Sequence, residues 1–336
     1  VSDRDKFLSL KSSQEGVAFI DEHTVLAYFV TKTDVTKFSN RDKTATDSPF
    51  RLRAVLGDVL QRNVRTVKDW PTQPPFAWLM PTAKGNIVIR AVNSLQLYSS
   101  DDFALTRERQ LNTSGHPFEG WHTKGSPSGR TVWLDHYDGD SRIEVLDADS
   151  LQTISSWEQE FLGSWFSVSD RAIVKRPVQD VEQVIMKDIG GSWHVLYDDP
   201  GGCVSQPTFV NDDELVAGPC GTVGLISTTG TTLMKDKVRR GEHVEAEVAA
   251  SRNGKVFAVS LMRAKGGAFD TAVHRSKTTV VVYDLERRST ILRVEVSPLP
   301  RTTYHFALAP DGSLLAVMAD SIVSIYETTH PSSQKR

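Results

Sequence analysis

Cysteine is nearly missing from this chain: its 336 residues include only Cys203 and Cys220. Two thiols exclude a disulfide framework and a cysteine-rich zinc domain. No apolar run reaches the ~18 residues of a membrane-spanning helix, so membrane insertion is not expected. Neither sign of charge dominates, with 39 Lys and Arg against 42 Asp and Glu and a formal net charge of −3. That balance speaks against a dedicated nucleic-acid binder, whose partner demands a strongly basic surface. The local motifs of common enzyme classes are missing too: no HExxH, no Gly-x-Ser-x-Gly and no phosphate-binding glycine loop. Gly190-Gly191 and Gly266-Gly267 read as isolated turns. No stretch shows a 3.6-residue apolar period, so helices are not expected. The chain opens at Val1, without Met or a signal-like apolar segment, which reads as a processed or trimmed form.

What is present is a core-forming composition, 39% hydrophobic and 8% aromatic, written as one unit seven times over. The clearest copy is near the C-terminus. An apolar segment from His305 meets Pro310-Asp-Gly312, a second apolar segment runs to Met318, and an alternating segment follows at Ile322–Tyr326. Period-two alternation reads as strand, and Pro-Asp-Gly reads as turn. The Asp311 position of that turn recurs at Glu22, Lys84, Ser128, Ser169, Asp212 and Asn253, at spacings of 62, 44, 41, 43, 41 and 58 residues. The middle four match the ~40–45 residues of a four-stranded propeller blade. The excess in the first and sixth units falls in the polar stretches Thr31–Pro49 and Arg263–Lys277, read as loops.

A third strand follows in each unit and a fourth in each unit except the last, which runs out in the polar segment His330–Arg336. One strand is left over, Lys6–Lys11, and it fits as the outer strand of blade seven. Closing the ring this way removes the free edge that would otherwise template aggregation. The expected fold is therefore all-β: one seven-bladed β-propeller over residues 1–330, with a polar tail at 331–336. With Ala309-Pro-Asp-Gly312, Ser126-Pro-Ser-Gly129, Ser251-Arg-Asn-Gly254 and the strand endings Tyr283-Asp284 and Leu146-Asp147, the chain resembles a bacterial β-propeller of the YVTN or WD-repeat-like superfamily. It departs from true WD repeats in that no Gly-His opens a blade and no Trp-Asp closes a third strand. The resemblance implies fold, since such propellers include both enzymes and docking platforms.

The turns joining strands one to two and three to four are short, as at Asp147–Ser150, Asn211–Glu214 and Pro310–Ser313. The opposite face should hold the long connections, including Trp70–Pro75, Asn112–Gly120, Asp135–Ser141, Asp198–Gln206, Lys237–Glu245 and Ser297–Tyr304. Long loops on a rigid scaffold are where binding concentrates. Lys237, Arg239, Arg240, Arg263, Lys265, Arg275, Lys277 and Arg301 cluster on the loops of blades five to seven. They suit an anionic partner, whether an acidic protein surface, a polysaccharide or a headgroup. Solvated, scattered charge is the plainer reading. Phe269 and Tyr304 are too few to stack nucleic-acid bases. Tyr304 joins the candidate binding residues, and so do Trp70 and Trp121, which sit nearest the inter-blade loops. The other tryptophans read as packing between blades.

Asp135-His-Tyr-Asp138-Gly-Asp140 is dense in ligand-type residues, but its spacing is not that of an EF-hand loop, so a polar turn is expected and no metal or cofactor is assigned. Cys203 and Cys220 flank the hairpin whose turn is Asn211–Glu214, at matching distances from it. They are expected to form a disulfide, which would place the chain in an oxidising, extracytoplasmic (periplasmic or secreted) compartment. Two function classes fit. The first is a non-catalytic binding module or assembly subunit that docks a protein or anionic polymer on the long-loop face. The alternative is a lactonase-like hydrolase or lyase with its site in the central funnel.

Overall fold

The computed structural model describes residues 15–32, 50–72, 78–91, 94–111, 121–136, 142–158, 166–177, 182–200, 202, 204–265, 274–300, 305–320 and 322–328. These residues form strands and turns, with no helix among them. Blade one is β1 (Glu15–Phe19), β2 (Thr24–Lys32), β3 (Phe50–Asp58) and β4 (Asn63–Thr72). Blade two is β5 (Trp78–Pro81), β6 (Ile87–Ala91), β7 (Ser94–Tyr98) and β8 (Leu105–Gln110). Blade three is β9 (Trp121–Gly125), β10 (Thr131–His136), β11 (Arg142–Asp147) and β12 (Thr153–Glu158). Blade four is β13 (Phe166–Val168), β14 (Ala172–Lys175), β15 (Gln183–Asp188) and β16 (His194–Asp198). Blade five is β17 (Thr208–Phe209), β18 (Glu214–Val216), β19 (Thr222–Ser227) and β20 (Thr232–Lys237). Blade six is β21 (Glu242–Ala250), β22 (Val256–Lys265), β23 (His274–Asp284) and β24 (Ser289–Val296). Blade seven shows β25 (Phe306–Leu308), β26 (Leu314–Ala319) and β27 (Ile322–Glu327). Each sheet is antiparallel and pairs its strands in sequence order. The segment expected to supply the fourth strand of blade seven, Lys6–Lys11, lies outside the described residues.

Period-two alternation does more here than turn a face inward. It shares each central strand between two neighbouring blades. In β10, Val132 and Leu134 pack into blade two, while Trp133 between them packs into blade four with Phe166 and Ile173. In β22, Phe257, Val259 and Leu261 face blade five, and Val256 and Ala258 face blade seven. The result is seven apolar clusters, each spanning one pair of adjacent blades. The seventh closes the circle, since Val17, Phe19 and Val25 of blade one pack on Ala307, Ala316 and Met318 of blade seven. The outermost strands carry the solvent side: β8 and β12 are exposed at most positions.

The short turns form a second ring. Ala83 N–H donates to Gly129 O at 2.8 Å, Ser128 Oγ to Asp170 at 2.8 Å, Asp170 N–H to Asp212 at 2.9 Å and Asn253 N–H to Pro310 O at 3.0 Å. Gly129 has φ +73°, and a Cβ there would sit 2.9 Å from Ala83 N. Its lack of a side chain is what lets the turns of blades two and three touch. One chord crosses this ring. Arg252, in the inner turn of blade six, donates to the carbonyls of Phe19 and Ile20 in blade one and Thr82 in blade two, at 3.0 Å for Phe19 and 2.5 Å for Thr82.

Several expected loops are strands. Trp70–Thr72 belong to β4, and the ends of Arg263–Lys277 extend the β22–β23 hairpin, with Arg263 opposite Lys277 and Lys265 opposite His274. The polar composition was misleading because the backbone ladder at these ends continues past the apolar part of the blade.

Candidate functional site

The connection from blade five to blade six, Lys237-Val-Arg-Arg-Gly-Glu242, gathers the basic residues. Val238 packs on the apolar cluster between the two blades and anchors one end. The chain then reverses in a β-turn: Glu242 N–H donates to Arg239 O at 2.9 Å, and Gly241 takes φ +82° at the third position, where a side chain would be strained. The Glu242 carboxylate reaches back and accepts from Arg239 N–H at 3.2 Å. The side chains of Arg239 and Arg240 are thereby held outward and exposed, with no ion-pair partner among the described residues.

Blade six adds the rest. Glu242 on β21 stands opposite Arg263 on β22, which stands opposite Lys277 on β23. Arg263 Nη2 donates to Arg240 O at 3.0 Å and ties the hairpin to the turn. Lys277 pairs with Glu295 at 2.5 Å, and Arg293 of β24 lies 3.6 Å from Glu242. The rim between blades five and six therefore carries Lys237, Arg239, Arg240, Arg263, Lys277 and Arg293 against Glu242 and Glu295. Cations in such number over a low-dielectric wall raise the local concentration of anions.

The other sequence candidates fare unevenly. Lys237, Arg263, Lys265, Arg275 and Lys277 stand on strands, where loops were expected, because the hairpin continues past the body of the blade. Arg301, Tyr304 and Phe269 lie outside the described residues, as do the side chains of Lys265, Arg275 and Trp121; the backbone of Trp121 opens β9 opposite His136. Trp70 is not an exposed contact. It is 5% exposed and packs edge-on against Phe103 at 5.3 Å and near Tyr98 at 5.1 Å. Its place opposite Leu52 turns the ring into the interface of blades one and two. Asp135 is a buried residue of β10, and Asp138 and Asp140 lie outside the described residues. Among the described residues no group of three or more His, Cys, Asp or Glu is placed to hold a metal. Cys220 follows Pro219 in the turn before β19. Cys203 lies outside the described residues, next in sequence to Val204, whose antiparallel bridge is to Pro219. Sequence reading missed Glu242 and Arg293. The signal for Glu242 was an acid three residues after Arg239 across an Arg-Gly turn, while Arg293 looked like one more solvent-facing residue of an outer strand.

Two concavities lie elsewhere. One, of about 340 Å³, opens among the inner short turns and is lined by Glu22, Ser128, Arg130, Arg252, Asn253 and Asp311. Burial pushes the Arg252 guanidinium's pKa down, and the carboxylates of Glu22, Asp21 and Asp149 pull it partly back. The other, about 480 Å³, is a groove on the outer wall between blades two and three, where Arg109 is engaged by Glu144, Leu151 O and Thr153.

The chain shares its fold with many solved structures. Kluyveromyces lactis Hsv2 matches with a TM-score of 0.54 at 10% identity, over 94% of this chain and 93% of that one. A chain of the mitotic checkpoint complex matches with a TM-score of 0.52 at 12% identity, over 94% and 87%. The C-terminal WD40 domain of Sif2 matches with a TM-score of 0.48 at 15% identity, over 91% and 94%. The likeness is one of fold: a seven-bladed β-propeller. No family model matches the chain, and no curated protein matches its sequence.

Proposed function

We propose that this propeller is a non-catalytic docking platform that holds an anionic protein or polymer on the rim between blades five and six. The observation that carries the reading is the Arg239-Arg240-Gly241 turn. Two guanidiniums without ion-pair partners among the described residues stand outward on a backbone fixed by its own hydrogen bonds, with Arg263 tied in beside them. A guanidinium fork matches carboxylate and phosphate geometry, and a preorganised pair loses less entropy on binding than two free side chains. A chain of the mitotic checkpoint complex among the structural neighbours fits a role as a subunit of a larger assembly. We also propose an oxidising, extracytoplasmic location with Cys203 and Cys220 paired; the support is the antiparallel bridge between Val204 and Pro219, each next in sequence to one of the chain's two cysteines.

The test is charge reversal. Replacing Arg239, Arg240 and Arg275 by Glu should weaken capture of the partner from the native source and flatten its salt dependence, with thermal stability nearly unchanged. Capture that survives the triple reversal with its salt dependence intact removes the rim from the account.

A further inference from the structure

The rim carries an anion of its own. The side chain of Glu242 is only 6% exposed, yet it lies in the middle of the cationic cluster. Its Oε2 accepts from the Arg239 backbone N–H at 3.2 Å and stands 3.6 Å from Arg293 Nη2, and across the ladder its strand partner is Arg263. A backbone N–H at a turn and a guanidinium are the donors that an incoming carboxylate or phosphate oxygen would use. From this we infer that Glu242 is a built-in counter-anion of the docking rim. It fills the inner half of the cation cluster, leaves the outer half (Arg239, Arg240 and Arg263) to the ligand, and so sets how strongly charged a ligand must be to hold.

The inference rests on the docking function proposed for this rim and sharpens it in one respect. A carboxylate fixed beside the site repels every anion that binds there, in proportion to the ligand's charge. At a separation of about 7 Å in water-like surroundings, one unit charge changes affinity by about threefold per ligand charge. Weak, singly charged anions are turned away for lack of compensating contacts. A polyphosphorylated or polyacidic ligand spans several cations and outweighs the repulsion. Glu242 is thus a positioning and selectivity residue. It holds the turn through the Arg239 N–H and at the same time lowers the potential that the turn presents.

These two roles separate in one substitution. Glu242→Gln keeps an oxygen acceptor for the Arg239 N–H and removes the charge. The probe is inorganic tripolyphosphate, titrated into the full chain by calorimetry at low and at moderate salt. Tripolyphosphate carries about four negative charges near neutral pH, so Glu242→Gln should bind it on the order of tenfold to eightyfold more tightly than wild type at low salt, with the gain shrinking as salt screens the site. Combining Glu242→Gln with Arg293→Gln removes one charge of each sign and should return the affinity to near the wild-type value. An unchanged or weakened affinity in a folded Glu242→Gln protein overturns the inference and leaves the docking reading standing. So does a gain that persists in the double variant, because it would come from the shape of the turn instead of its charge. Tripolyphosphate binding that is absent, or indifferent to R239E/R240E, overturns the docking reading and this inference with it.

Discussion

Arg252 offers the sharpest test of how the ring is held. It leaves the inner turn of blade six, skips blade seven and donates to Phe19 O, Ile20 O and Thr82 O in blades one and two. Arg252→Met keeps the apolar stem and deletes the donors. Each hydrogen bond from a charged donor contributes about 1.5–3 kcal/mol net. Arg252 itself lines an open cavity of about 340 Å³, so water can take its place in part, and roughly half of the summed value should be lost. The expected loss is about 2–4.5 kcal/mol. At roughly 2 °C per kcal/mol for a chain of this size, the melting temperature should fall by about 4–9 °C. Arg252→Lys keeps the charge but offers no fork, and should land between the two. Urea denaturation followed by tryptophan fluorescence measures the difference, and the slope with denaturant should stay constant because the surface exposed on unfolding does not change. A Met variant within about 0.5 kcal/mol of wild type, or a Lys variant as stable as wild type, would refute the chord as a structural tie.

Three further expectations concern packing, pH and redox state. Trp133 is fully buried between blades three and four, so Trp133→Ala should cost about 3–5 kcal/mol, whereas Ile154→Ala at a 56% exposed position of β12 should stay within about 0.5 kcal/mol; paired denaturation curves decide this. Asp21 is pushed up by burial but held below the usual carboxylate range by the backbone N–H groups of His23 and Thr24, at 2.8 and 2.7 Å; its stabilisation is therefore present above that range and lost as pH falls through the depressed value. Asp21→Asn should cost about 1 kcal/mol near neutral pH and progressively less under acid, and a penalty that does not change with pH would contradict the carboxylate's role. Thiol labelling of the unfolded, unreduced protein should find no free cysteine, and intact mass should rise by two protons on reduction; two labelled thiols in fresh native material would withdraw both the pairing of Cys203 with Cys220 and the oxidising compartment.

The architecture was legible because repetition multiplies weak signals. Each turn alone is a common dipeptide pattern, but seven in series fix the blade boundaries, and the strands fall on the β-rich runs after them, as at Ile87–Ala91, Arg142–Asp147 and Ile322–Glu327. What the alternation left open was which blade each side chain faces. Trp70 shows the consequence: adjacency to a proline-rich stretch suggested a loop, while its register opposite Leu52 buries it. The basic sector was legible as composition, because eight Lys and Arg fall between Lys237 and Arg301 on the segments read as loops of blades five to seven. Its wiring was not, since the approach of Glu242 to Arg293 joins the first and fourth strands of a blade, 51 residues apart in sequence. Local pattern carries no information about such contacts.

The most direct test of the docking rim sets the two faces of the disc against each other. Binding of fluorescent polyglutamate, a simple polyanion, would be measured at fixed low salt for wild type, for R239E/R240E and for D147K/D311K on the short-turn face. The account predicts that the rim reversal weakens binding by about tenfold or more while the opposite reversal leaves it near wild type. Binding that survives the rim reversal and responds instead to Asp147 and Asp311 would contradict it.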